Sequence, residues 1–193
     1  MEAGNMRKLF ITLCVPILVY LIWPYMALLK LYFGLESANK KVVMEEIHWP
    51  TIRKGIEKNL NLFVKEVLNK NLKQKNLQIS FSAISLTRQI ADEIATPEGI
   101  IYLYHNPNKY ADQIRKIFEK VSEPKQLSPP IKEKPLKLEG PNVPSLWERI
   151  DYIFFIDFSH FKASFKIKNQ SFTIIWKRQG FDWKVVLLNF PLA

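Results

Sequence analysis

The chain of 193 residues holds one cysteine, Cys14. It sits inside the longest apolar run, so no disulfide can brace the remainder. That is compatible with a bacterial periplasm without requiring one. Histidine is also scarce. His48, His105 and His160 have no metal-ligand partner at useful spacing, and H-E-x-x-H does not occur. No metal and no cofactor are expected, and no catalytic motif rises above background. The chain carries a net charge of +10 but no nucleic-acid-binding motif, so no nucleic-acid partner is expected. A cleavage site is missing too. Signal peptidase needs small residues at −3 and −1, and ends at Ala27 or Ala38 put Tyr25 or Glu36 at −3. The lipidation pattern is absent at Cys14, which follows Leu13 with too little apolar sequence upstream.

What is present first is a run without charge, Leu9 to Leu29, between Arg7-Lys8 and Lys30. About 20 apolar residues cross a bilayer core of roughly 30 Å as a helix, the form that satisfies every backbone group in lipid. Pro16 is a candidate kink. Pro24, between the interface-seeking Trp23 and Tyr25, is expected at the outer end of the span, with helix continuing toward Ser37. The sequence therefore predicts an uncleaved signal anchor. Arg7 and Lys8 favour a cytoplasmic N-terminus and an exported domain. The resulting division is a tail at 1–8, a transmembrane anchor at 9–29 and one domain at 30–193.

Asn39 is a candidate N-cap for a short helix, Lys40 to Ile47, broken at His48-Trp49-Pro50-Thr51. Ile52, Ile56, Leu60, Phe63 and Val67 then form one apolar stripe at helical spacing, with Arg53, Lys54, Lys58 and Lys65 opposite. Residues 69–80 read as a loop, and Ser82 to Ala95 as a helix with Ala83, Leu86, Ile90 and Ile94 inward. Thr96-Pro97-Glu98 supplies an N-cap, a proline at the first helical position and an acid in the first turn. That helix should reach about Tyr104, and another is expected from Tyr110 to Val121. Between Pro124 and Pro144 lie six of the chain's twelve prolines, which predicts an extended Pro/Lys-rich excursion over 122–146.

The last stretch reads as an antiparallel meander of three to four strands. Phe161, Ala163, Phe165 and Ile167 alternate with polar residues, and so do Phe172, Ile174 and Trp176. A two-residue turn at Asn169-Gln170 would set Phe165 opposite Ile174 and Ala163 opposite Trp176. A second turn at Gln179–Asp182 would set Trp176 opposite Val185, Ile174 opposite Leu187, and Arg178 opposite Trp183 as a cation–π pair. Asp151 to Phe158 supplies a further strand, with a bulge expected near Asp157 to His160. Helices followed by strands make an α+β fold, with the helices on the sheet's apolar face.

Pro24-Tyr25 with Ala27-Leu28, His48-Trp49-Pro50-Thr51-Ile52-Arg53, Thr96-Pro97-Glu98-Gly99 and Arg178-Gln179-Gly180-Phe181-Asp182-Trp183-Lys184 with Pro191 occur in an order and spacing that resembles one bacterial family. It is catalogued as domain-of-unknown-function family 2939 (DUF2939). The resemblance implies a membrane segment at the N-terminus and no particular activity or site residues. The chain departs from the pattern at His48, where an acidic residue would be expected, and in the Pro/Lys insertion.

Two constellations are chemically suggestive. Asp157 and His160 are near enough for an acid/base pair, a spacing that more often marks a strand bend, and no catalytic residue is assigned. Lys162, Lys177 and Lys184 would fall in one row across three strands, with Lys166 and Lys168 further along that face. This makes a candidate anion site for lipid headgroups or an acidic partner protein. The function expected is that of a membrane-anchored bacterial envelope protein whose domain is a non-enzymatic binding module. The alternatives are a small-molecule binder or enzyme with a pocket between sheet and helices, and a cytoplasmic-facing domain lying on anionic lipid.

Overall fold

The computed structural model describes residues 3–71, 77–107, 109, 112–114, 116, 140–167 and 170–189. The fold is α+β. Helix α1 (Ala3–Glu36) is followed by α2 (Lys40–Glu46), α3 (Trp49–Asn71), α4 (Leu77–Ile94), α5 (Pro97–His105) and α6 (Val143–Arg149). Strands β1 (Ile150–Asp157), β2 (His160–Ile167), β3 (Gln170–Gln179) and β4 (Asp182–Asn189) then form an antiparallel sheet in the order β1-β2-β3-β4.

Local chemistry explains most boundaries. Asn39 caps α2 by accepting from the Val42 amide, and Thr96 caps α5 by accepting from the Gly99 amide at 3.0 Å. Asn142 caps α6 through the Ser145 amide. The apolar stripe of α3 buries Ile52, Ile56, Leu60 and Val64, facing α4 and its buried Leu86, Ile90, Ala91 and Ile94. Arg53 pairs with Asp92, and Arg88 Nε lies 3.7 Å from Glu57, so the charges flanking this seam pair between the two helices.

Some boundaries differ from the sequence-based expectation. Helix α4 begins at Leu77, five residues before Ser82, inside the stretch read as a loop. Residues 143–146, assigned to the Pro/Lys excursion, form the first turn of α6, with Pro144 near its start, where no amide is needed. Residues 122–139 of that excursion, the side chains of Val67 and Ala83, and most of the helix expected at Tyr110–Val121 lie outside the described residues. Within that last helix, 112–114 are helical and Ile114 is buried.

Helix α1 is the main departure. Both Pro16 and Pro24 are inside it, and Pro24 is buried. Cys14–Glu36 is long and apolar enough to cross a membrane. The sequence places the hand-over from anchor to domain at Lys30, yet packing against the sheet begins at Tyr20. Tyr20 stacks on Phe155 with ring centroids 5.9 Å apart, and Tyr25 meets Phe161 edge-on at 4.9 Å. Ala27, Leu28, Leu31, Tyr32 and Leu35 belong to the same core as Phe161, Ala163, Trp176 and Val185. One face of the apolar helix thus serves the domain. The other leaves Val15, Ile17, Leu18, Val19, Leu21, Ile22, Trp23 and Met26 exposed.

Strands β2 and β3 keep the expected faces but not the expected register, and in β4 Leu187, expected on the covered face, is exposed while Leu188 packs on the core. Phe165 pairs with Phe172, Ala163 with Ile174 and Phe161 with Trp176, a shift of two residues from the pairing set by an Asn169-Gln170 turn. Strand β3 already begins at Gln170, so the connection is 168–169, outside the described residues. A shift of two leaves every side chain on its face, so the alternation is compatible with either pairing. Between β3 and β4, Trp176 pairs with Val185, Lys177 with Lys184 and Arg178 with Trp183. A bulge beyond Trp176 moves Ile174 opposite Leu188 instead of Leu187. The irregularity expected near Asp157 is present, as register shifts between Phe155 and Asp157 and again between Ile150 and Tyr152.

Candidate functional site

The β1–β2 turn holds Asp157 and His160. Asp157 Oδ1 accepts from the Ser159 amide at 2.7 Å, the Ser159 hydroxyl at 2.9 Å and the His160 amide at 2.9 Å, while His160 Nδ1 lies 2.8 Å from Oδ2. These bonds, those of Ser159 first, hold the Asp157 carboxyl at about 2, below its usual 3.8. An acid that spends its lone pairs on its own turn, with half of its side chain in water, has the geometry of a turn brace.

The lysines do not make one row. Lys162 stands opposite Ile175 and Phe154, and Lys177 opposite His160 and Lys184. The two-residue shift described above separates them along the strands. The remaining geometry divides the candidate anion site further. Lys184 Nζ donates to the Glu45 carbonyl at 2.9 Å and lies 3.8 Å from Asp182. Lys166 Nζ bonds Asp151 at 2.6 Å. The Lys162 ammonium sits 5.4 Å from the Tyr152 ring centroid, Lys177 is exposed, and Lys168 lies outside the described residues. The expected Arg178–Trp183 cation–π contact is replaced by one to α1. The guanidinium is 5.2 Å from the Tyr20 ring centroid, because Arg178 is on the sheet face that α1 covers.

A cavity of about 90 Å³ lies between α1, α5 and the sheet, lined by Leu31, Tyr32, Leu103, Phe165, Ile174 and Trp176 among others. It is smaller than the roughly 150 Å³ apolar cavity that admits benzene. Neither Asp157 nor His160 lines it. Trp176 Nε1 is buried with no hydrogen-bond partner among the described residues. Around this space the polar bonds are structural. Tyr32 Oη donates to the Asn142 carbonyl, and Tyr104 Oη donates to Glu36 at 2.7 Å. Burial, then the Glu36 carboxylate, pushes the Tyr104 phenol well above its ordinary value. His105 Nε2 bonds the Leu35 carbonyl at 3.0 Å, and His48 Nδ1 bonds Thr51 at 2.7 Å. The three histidines are in three separate places, and among the described residues no cluster of His, Cys, Asp and Glu could hold a metal.

The residues that sequence reasoning passed over are at one end of the sheet. Phe158 and Phe181 sit in the β1–β2 and β3–β4 turns and are 90% and 87% exposed. Phe154 on β1 is likewise exposed, at 58%. The available signal was an aromatic residue in a tight turn, where glycine and small polar residues are usual. No family model, no curated protein and no solved structure matches the chain.

Proposed function

We propose that this chain is a single-pass protein of the bacterial inner membrane, anchored by α1, whose α+β domain lies on the periplasmic side and serves as a binding module of the envelope. The observation that carries this reading is the two-faced character of α1. A helix with Val15, Leu18, Ile22, Trp23 and Met26 exposed on one side, and Tyr25, Leu28 and Leu31 built into the domain core on the other, needs an apolar surrounding for its open face. Arg7 and Lys8 before the run support a cytoplasmic N-terminus. The order of motifs from Pro24 to Pro191 supports membership of DUF2939.

Binding rather than catalysis is the better match to the domain. Its acid/base candidate braces a turn, and the cavity between α1, α5 and the sheet is apolar and small. Setting aside Glu2, Arg7 and Lys8 leaves 26 basic and 17 acidic residues, a domain charge of +9 that suits anionic headgroups or an acidic partner surface. The deciding experiment is a pair of reporter fusions at Ala193. Active alkaline phosphatase with a dark cytoplasmic fluorophore is the expected result. Inactive phosphatase with a bright fluorophore would overturn export and place the domain on the cytoplasmic leaflet.

A further inference from the structure

The apolar run meets the domain too early to cross a bilayer unaided. Among the described side chains of α1, packing on the sheet starts at Tyr20 and Val15, Ile17, Leu18 and Val19 are exposed; Leu9 to Val19 is about 11 residues or ~16 Å at 1.5 Å per residue. The hydrocarbon core is roughly 30 Å thick, so a span of ~14 Å must come from residues that already carry the domain, Tyr20 onward. Snorkelling by Arg7 and Lys8 and local thinning of the bilayer shorten this gap without removing it. The end of the sheet beside Tyr20 is therefore held at the depth of the span.

That end is the one with the two bare aromatic turns. Tyr20 Oη donates to the Phe158 carbonyl, and its ring carries the Arg178 guanidinium. The Arg178 amide donates to the Ser159 carbonyl at 2.8 Å, so the two turns stand side by side. Ile156, the large apolar residue nearest Phe158 on β1, is 53% exposed. Part of the polar inventory here is bonded within the turns, although Asp157 and Asp182 keep 51% and 68% of their side chains exposed. Asp157 is occupied by the Ser159 and His160 amides, and Arg178 Nε donates to the Gly180 carbonyl at 2.9 Å. Satisfied turns lose less on leaving water than open ones.

We infer that Phe158 and Phe181 insert into the lipid leaflet through which α1 emerges, so that the domain is seated in the membrane surface by its sheet end instead of hanging from a tether. The inference rests on α1 being the membrane anchor. Its partner is the bilayer itself. The rings enter the acyl region of that leaflet, at most ~14 Å below its headgroups and less as thinning and snorkelling take up the gap.

The test uses the full chain with Cys14→Ser, reconstituted in phosphatidylcholine–phosphatidylglycerol vesicles. Single cysteines at Ile17→Cys, Phe158→Cys, Phe181→Cys and Ser171→Cys carry a nitrobenzoxadiazole label, read by quenching from doxyl lipids. Ser171 is exposed at the opposite end of β3 from Phe181. Both phenylalanines are almost wholly exposed, so their replacement leaves the core intact. Quenching at 158 and 181 should be several-fold stronger than at 171 and approach that at 17. Strong quenching at 17 with water-like signals at 158 and 181 would overturn the inference and leave the anchor standing. Water-like signals at 17 as well would bring down both. Labels at 158 and 181 that are shielded from water yet untouched by doxyl lipid would show a protein cover, a second copy included, and would also overturn it.

Discussion

Gly99 and Gly55 should respond to the same substitution with opposite sign. Gly99 is in the first turn of α5, pressed against the last turn of α4. A Cβ there would lie 2.5 Å from the Glu93 carbonyl oxygen, 2.6 Å from that of Ile94 and 2.8 Å from Ile94 Cα. All three are backbone atoms, so no side-chain rotation relieves the overlap. The first turn of α5 must move away from α4. That motion strains the 3.0 Å bond from the Gly99 amide to Thr96 and loosens Ile100 and Ile101, both buried. Overpacking of this kind costs about 1–3 kcal/mol, and a weakened cap adds up to about 1. Gly99→Ala should therefore destabilise the chain by ~1–4 kcal/mol. Gly55, inside α3, has no atom within 4 Å of the corresponding position. Gly55→Ala should stabilise by ~0.5–1 kcal/mol through helix propensity and a less flexible unfolded chain. Thermal unfolding of the full chain in detergent, followed by far-UV circular dichroism, separates them. The midpoint should fall by roughly 5–10 °C for Gly99→Ala and rise by a few degrees for Gly55→Ala. A Gly99→Ala chain that melts at or above the parent would refute the close approach of α4 and α5.

Two further outcomes follow from charged groups. Glu46 is 4% exposed and accepts from Lys30 Nζ at 2.6 Å, and this bond raises the Lys30 ammonium above its usual 10.5. Lys30→Met leaves that carboxylate without its partner. Breaking a fully buried pair costs about 3–5 kcal/mol, and because half of the Lys30 side chain meets water, ~1–2 is expected here. Unfolding by denaturant should show the loss, and adding Glu46→Met should restore much of it. With the folded Lys30 value raised, the contribution is complete below pH 10.5 and fades at higher pH. Asp157 works in the opposite sense. Its folded value, about 2, is below 3.8, so its stabilisation is present above pH 3.8 and lost as pH falls toward 2. Asp157→Asn keeps an acceptor for the Ser159 amide and should flatten the melting temperature over that window. An unchanged slope would show that the turn brace is not what titrates.

Much of the architecture was legible because local chemistry dictates it. Asn39 and Thr96 cap α2 and α5 wherever those helices pack, and the α3 stripe at Ile52, Ile56 and Leu60 buries the face its period implies. Alternation in β2 and β3 assigns Phe161, Ala163, Phe165 and Trp176 to the covered face, since side chains repeat every two residues along a strand. The same period hides the register. Pairings two residues apart keep identical faces, so only assembled strands and their connection could set Lys162 opposite Ile175 instead of Lys177. A charge-free helix is likewise apolar on every side, and its sequence does not tell lipid from protein. That Tyr20, Tyr25, Leu28 and Leu31 face the sheet while Ile17, Ile22 and Met26 do not was decided by where the meander docks. The same docking brings Tyr20 of α1 to the Phe158 carbonyl and to Arg178, about 140–160 residues away along the chain and adjacent to it in space. Caps and periodicity act over one or two turns of chain, whereas a contact of that separation exists only once the fold has closed.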